Sequence, residues 1–235
     1  MNRSVQKIGA FFVGFLFLVT SLLFPEEGQG IQKIEKSIQV LHELIELPEE
    51  GIPEALLEKA YGIAVIPGVF KAAYVLGGQY GKGILVIRGK DGTWSNPCFI
   101  KIMGGSYGYQ IGVSRSDVIL VFKSRESIEG ITEGKFTLGA DAGISAGPVG
   151  RRAEGSTDFK FEAEIYSYSK SKGIFAGVSV QGSSIQIDYE ANADFYGTYK
   201  YSPLDILEKK HIPAPAIAGK LKAVLSSYTR TSIWI

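Results

Sequence analysis

Cysteine is almost missing from this chain: Cys98 is the only one among 235 residues, so the sequence can build neither an intrachain disulfide nor a thiolate metal cluster. Histidine is nearly as scarce. His42 and His211 are the only two, and neither lies beside a carboxylate or the cysteine at metal-ligand spacing, which argues against a zinc site and a histidine-based triad. Neither sign of charge dominates, because 25 basic residues meet 24 acidic ones, so the electrostatic footprint of a nucleic-acid binder is missing. Domain-sized linkers, low-complexity tracts and fixed-period repeats are absent too, and the chain reads as one domain behind its N-terminus.

What is present begins with an apolar run over residues 8–24, preceded by Arg3 and Lys7 and broken at Pro25. That order predicts a secretory signal peptide over residues 1–30, with Gly28 and Gly30 at the spacing a signal peptidase prefers. An uncleaved anchor is the competing reading, since the run approaches the ~18 residues that suggest a membrane span. The expected location is therefore exported, periplasmic or extracellular, with membrane association left open. Residues 1–30 hold two charges of each sign, so their removal leaves the chain near its formal +1.

Behind that segment, Ile31, Ile34, Ile38, Leu41, Leu44 and Ile45 recur at helical spacing until Pro48, predicting a helix over 31–47. Its polar side mixes Lys33 and Lys36 with Glu35, Glu43 and Glu46, whereas an interfacial helix has a basic face; packing on a core is the expected use. A second helix is expected between Pro53 and Gly62. From Ile63 to Phe122 the signal turns to strands, IAVIP, AAYVLGGQYGKGILVIRG, CFIKIMGGSYGYQIGV and DVILVF, read as an antiparallel meander with turns at 89–92 and 114–117. A short helix is expected over 124–133, capped by Ser124 or Ser127.

FTLGADAGISAG and residues 159–169 add strands, the second needing a bulge near Ile165 because Tyr166 and Tyr168 follow Phe159, Phe161 and Ala163 in the opposite phase. KGIFAGVSVQGSSIQIDYE alternates on both sides of residues 182–184 and reads as a hairpin with one apolar and one hollow face. The predicted fold is α+β: a curved antiparallel sheet or partly closed barrel packed with N- and C-terminal helices. Helices would occupy 31–61, the β-rich core 62–200 and a C-terminal helical segment 203–230. Glycine, at 29 residues, would serve the curvature or leave room for a ligand, and both uses remain open.

No constellation in the sequence points to catalysis. GGQYGKG, residues 77–83, lacks the full glycine spacing and the Ser/Thr of a phosphate loop, and nothing fixes a working pair among Asp141, Asp188, Glu190 and Asp194. No catalytic residue, metal or cofactor is expected. GPVGRR is more suggestive. A glycine-rich turn followed by Arg151 and Arg152 can present backbone N–H groups and guanidinium forks to a phosphate, and Lys71, Lys82, Arg88 and Lys101 add cations on the strands.

IPEALLEKAYGIAVIPGVFKAA, GGSYGYQIGVSRSDVILVF, FTLGADAGISAGPVGR and GIFAGVSVQGSSIQIDYEANADFYG, in this order between Ile52 and Gly197, resemble the SYLF domain, also called the Ysc84-type actin-binding domain. Its motif positions carry over as Gly139, Ala140, Gly147, Pro148 and Gly150, then as Gly177, Ser179, Gly182, Asn192, Phe195, Tyr196 and Gly197, all read as structural. The resemblance implies a lipid-binding module, with phosphoinositide and actin binding among eukaryotic relatives and exported envelope proteins among bacterial ones. The expected function is non-enzymatic binding of a membrane lipid or acyl-chain ligand, with Arg151, Arg152, Lys71 and Lys82 as headgroup residues. Actin is not an expected partner for an exported chain, and no nucleic acid is expected. The alternative is a structural or protein-interaction module of the envelope, presenting Tyr166, Tyr168, Tyr196, Tyr199 and Tyr201 to a protein partner.

Overall fold

The apolar stripe of the first helix is folded inward, with Ile34, Val40 and Leu41 at most 5% exposed, because a stripe of this kind gains its stability by packing on an apolar surface. A computed structural model describes residues 28–45, 51–74, 76–107, 112–134, 136–148, 162–171, 174–177, 180–209 and 211–229. Residues 1–27 of the expected signal peptide, and with them Gly150, Arg151, Arg152 and Ser179, lie outside these residues, while its last three, residues 28–30, are described and lead into the first helix.

Along the described chain come α1 (Gln29–Ile45), α2 (Glu54–Glu58), β1 (Gly62–Tyr74), β2 (Leu76–Ile87), β3 (Cys98–Tyr107), β4 (Gly112–Phe122), α3 (Arg125–Thr132), β5 (Phe136–Thr137) and β6 (Ile144–Ala146). Then follow β7 (Ile165–Ser171), β8 (Ile174–Gly177), β9 (Ser183–Ile187), α4 (Tyr189–Tyr196), α5 (Pro203–Glu208) and α6 (Ala216–Tyr228). The nine strands form one curved, mostly antiparallel sheet in the order β5-β9-β3-β2-β1-β4-β7-β6, with β8 also on β7 and β6 parallel to it. No described helix is long and apolar enough to cross a membrane.

The central strands are core on both faces, which is why they read as near-continuous apolar runs. Ile63, Val65, Ile84, Val86, Ile119 and Val121 meet α1, α2 and α6 on one side. Ala64, Ile66, Leu85, Val118, Leu120 and Phe122 meet α3, α5 and residues Phe136, Leu138 and Ile212 on the other. The two-sided core removes the need for a bulge near Ile165: β7 pairs with β4 without interruption from Ile165 to Lys170, with Ile165 in one core and Tyr166 and Tyr168 in the other. The bulge lies in β1 instead. Pro67 has no N–H for a ladder, and the register with both neighbours shifts there. Gly68 takes φ +67° and its N–H reaches Asp117 Oδ1 at 2.8 Å.

Four predicted connections are corrected. β4 pairs with β1 rather than β3, so the meander covers β1 to β3 only. Residues 114–117 are strand, not turn, whereas the turn at 89–92 is present, with Gly92 N–H bonded to Gly89 O and Gly89 N–H to Thr93 O. AAYVLGGQYGKGILVIRG is not one strand, since Tyr74 pairs with Leu76 as the chain doubles back. The hairpin across residues 182–184 does not form either: β8 joins β7 while β9 runs between β3 and β5. The alternation of Ile185 and Ile187 also misled beyond Asp188. That carboxylate accepts Ala191 N–H as the N-cap of α4, an Asx signal that outweighs strand periodicity, and Gly197 closes the helix at φ +68°.

Candidate functional site

Two of the four predicted headgroup cations fall in the described chain, and the sheet separates them. Lys82 shares the face of Ile84 and Val86, under α1. Lys71 is the cross-strand neighbour of Gln79, whose amide donates to buried Ser183 on the opposite face. Burial holds the Lys71 ammonium below its ordinary value. Lys82 is engaged instead, with its Nζ 2.9 Å from Asp188 Oδ2, and that hydrogen bond raises it above its ordinary value. Arg88 is structural: its guanidinium donates to Glu58 O, Gly92 O and Thr229 O and so ties α2, the 89–92 turn and the end of α6 together.

The face beneath α1 carries a cationic groove that was not read from the sequence. Between α1 and the β1 bulge, Lys33, Lys36, Glu43, Pro67, Gly68, Arg115 and Asp117 surround a space of about 380 Å³. Its two carboxylates are committed. Glu43 accepts from Lys170 Nζ at 2.7 Å and Gln39 at 2.8 Å, bonds that hold it below the usual carboxylate range, Lys170 contributing most. Asp117 accepts from Gly68 N–H. By contrast, the side chains of Lys33, Lys36 and Arg115 make no hydrogen bond or ion pair among the described residues. Partial burial, followed by repulsion from Lys36, Lys82 and Arg115, lowers Lys33. This is the electrostatic signature of a site that would gain from an anion. One signal was available: Lys33 and Lys36 are i, i+3 neighbours on one side of the helix stripe.

Outward from the groove, the strands continue past α1. Met103, Tyr80, Phe70 and Arg115 are successive cross-strand partners on β3, β2, β1 and β4. Phe70 and Tyr80 are 42% and 45% exposed. Gly105, Gly78, Ala72 and Val113 form the next row, in which Val113 is 71% exposed and a Cβ on Gly78 would meet nothing within 4 Å. Arg115 belongs to this row because residues 114–117 are strand rather than the turn that their composition predicts.

The motif residues lie elsewhere and hold backbone. Asn192 is buried and acts as a strand surrogate, its Oδ1 accepting Phe99 N–H at 2.8 Å and its Nδ2 donating to Phe99 O and Asp188 O. Phe195 packs at a tilt against Phe99 and edge-on against Tyr196, and Tyr196 Oη donates to Pro97 O at 2.7 Å. Gly147 lies against the ring of Tyr168, whose hydroxyl donates to Pro148 O, and Gly177 lies against Gly147. Gly139 and Gly182 occupy positive-φ turns. The four acids considered for catalysis are dispersed: Asp188 is ion-paired, Asp141 accepts Thr137 N–H, and Glu190 and Asp194 face outward on α4. Among the described residues no cluster of His, Cys, Asp and Glu could hold a metal. Tyr166 and Tyr168, expected on a contact surface, are buried at 4% and 0%; Tyr199 is exposed.

Sheet and groove together define the class, an α+β domain with a half-barrel sheet and a cationic groove. The chain belongs to the Ysc84 family, described as Las17-binding protein actin regulators, whose profile matches residues 103–228. It is similar to Protein YSC84 of Saccharomyces cerevisiae, 39% identical over 171 residues, covering 72% of this chain and 36% of that protein. It is also similar to LAS seventeen-binding protein 3 of the same yeast, 38% identical over 172 residues, 72% of this chain and 37% of that one. The human SH3 domain-containing YSC84-like protein 1 is 35% identical over 201 residues, 83% of this chain and 58% of that protein. The chain thus spans between about a third and three-fifths of the length of these relatives.

Proposed function

We propose that this domain is a non-enzymatic lipid-binding module of an exported, envelope-facing protein, and that the groove between α1 and the β1 bulge receives an anionic headgroup. The observation that carries this reading is the imbalance in the groove: Lys33, Lys36 and Arg115 make no ion pair among the described residues, while Glu43 is paired with Lys170 and Asp117 accepts Gly68 N–H. A phosphate offers charge-assisted bonds to all three, and Arg115 can engage it in bidentate fashion. The test is co-sedimentation of the purified protein with phosphatidylglycerol and with phosphatidylcholine vesicles. Binding to the anionic vesicles alone, weakened about tenfold in Lys33→Gln/Arg115→Gln, is the expected result. Equal loss in Arg151→Ala/Arg152→Ala would extend the site to the GPVGRR turn, and loss in that variant alone would transfer the headgroup role to it.

A second reading, a protein-interaction module, draws on Tyr189 and Tyr199, which are 56% and 77% exposed and line one depression on α4 and the turn after it. Tyrosine-rich surfaces of this kind are enriched at interfaces. Cross-linking from residue 199 to a single envelope protein, with no vesicle binding by the unsubstituted chain, would favour it.

A further inference from the structure

Resting on the lipid-binding reading, we infer that the bilayer is engaged by the free end of the sheet, with Phe70, Tyr80 and Val113 entering it, while α1 remains on the core. Three observations converge on this surface. First, the face that is at most 1% exposed at Val65, Ile84 and Ile119 beneath the helices becomes bare past the bulge, at Phe70, Tyr80 and Val113. These residues are neighbours by register: Phe70 opposes Tyr80, and Val113 opposes Ala72 in the next row outward. Ile174, 73% exposed at the start of β8, lies at the same end of the strands.

Second, charge is ordered along the strand direction. The apolar row lies beyond the cover of α1, and the cations that make no ion pair among the described residues, Lys33, Lys36 and Arg115, lie at it or just inside it. Acyl region, interfacial aromatics and anionic headgroups succeed one another in the same order across a bilayer surface. Glu126 and Glu133 lie on α3 and at its C-cap, following the buried end of β4, and Asp141, bonded to Thr137 on β5, is three strands across the sheet from Tyr80. Third, the two strongly amphipathic helices among the described residues, α1 and α3, are unavailable for insertion, because their apolar faces are already in the core. A chain that meets lipid through an amphipathic helix would leave such a face free.

Tyr80→Trp places a depth reporter on the row, and Tyr199→Trp places one at the opposite end of the strands, the unsubstituted protein supplying the background from Trp94 and Trp234. Each protein is mixed with phosphatidylglycerol vesicles containing brominated phosphatidylcholine. The expected result is a blue shift and bromine quenching for Tyr80→Trp and neither for Tyr199→Trp, with a Phe70→Ser/Val113→Ser variant losing about tenfold in vesicle affinity at an unchanged melting temperature. Bound protein in which Tyr80→Trp is unquenched overturns the inference and leaves lipid binding standing. Quenching at Tyr199→Trp instead overturns the orientation. If the unsubstituted protein binds no vesicle, the lipid reading and the inference fall together.

Discussion

At the scale of single residues, glycine does opposite things at different positions, and the surroundings of an added Cβ separate them. A Cβ at Gly83 would lie 2.2 Å from Val65 O, one at Gly177 2.2 Å from Gly147 O, and one at Gly147 2.1 Å from the Tyr168 ring. Backbone cannot retreat from the first two contacts without breaking the ladder, and the Tyr168 ring of the third is fully buried, so these glycines permit close approach rather than enclosing ligand space. Gly78 differs. We expect Gly78→Ala to change stability by no more than about 0.5 kcal/mol, and Gly177→Ala to cost about 2 kcal/mol or more, measured by urea denaturation of the two variants side by side. Equal effects would show that the crowding around residue 177 relaxes freely. The abundance of glycine was plain in the sequence, but its purpose was not, because what an added Cβ meets is supplied by residues 18 to 30 positions away or by the neighbouring strand.

At the scale of elements, α1 and α4 show what local pattern can and cannot deliver. The stripe of α1 was legible because every residue that defines it lies within two or three turns of the others. Its burial makes Leu41→Ala a core truncation, expected to cost about 2–5 kcal/mol and to lower the melting temperature, with vesicle affinity per folded molecule unchanged. A loss of affinity without a loss of stability would mean that α1 itself meets the lipid. α4 and the separation of β8 from β9 were not legible: a residue pattern of period two is equally consistent with a hairpin and with two strands that part company, and only their distant partners on β7 and β3 choose.

The candidate groove has the same character. Lys33 and Lys36 were visible as part of a helix whose charges seemed balanced, yet the balance is not local. Glu43 is drawn off by Lys170, 127 residues away, and Asp117 is bonded to the backbone of the bulge, so three cations outnumber the one carboxylate left without a cation at one place on a chain whose formal charge is only +1. Arg115 was misplaced for a related reason: SRSD has turn composition, but pairing with β1 overrides that preference.

At the scale of the whole molecule, the two cores on either side of the sheet make the interior of the central strands inaccessible. Cys98 is fully buried, and burial pushes its thiol up to about 12. Its reaction with a water-soluble maleimide at pH 8 should therefore be limited by opening of the fold, following the denaturation curve; rapid labelling of folded protein would show that this end of β3 opens by itself. The sign with pH is also fixed. The folded thiol stays protonated where an unfolded one ionises, so its contribution to stability is full below the ordinary value near 8.5. It declines as pH rises toward 12, a slope that Cys98→Ala should remove.

By itself the sequence determined the class of fold, the helical stripe, the short helix behind Ser124, the family, and the scarcity of histidine and cysteine, because composition, periodicity and motif order are properties of residues near one another along the chain. Tertiary structure decided which strands became neighbours, which face Lys71 and Lys82 each occupy, which carboxylates were consumed, and where aromatic residues stayed bare. Those outcomes depend on register and on partners far away in sequence. A shift of one position in any strand would have exchanged its two faces.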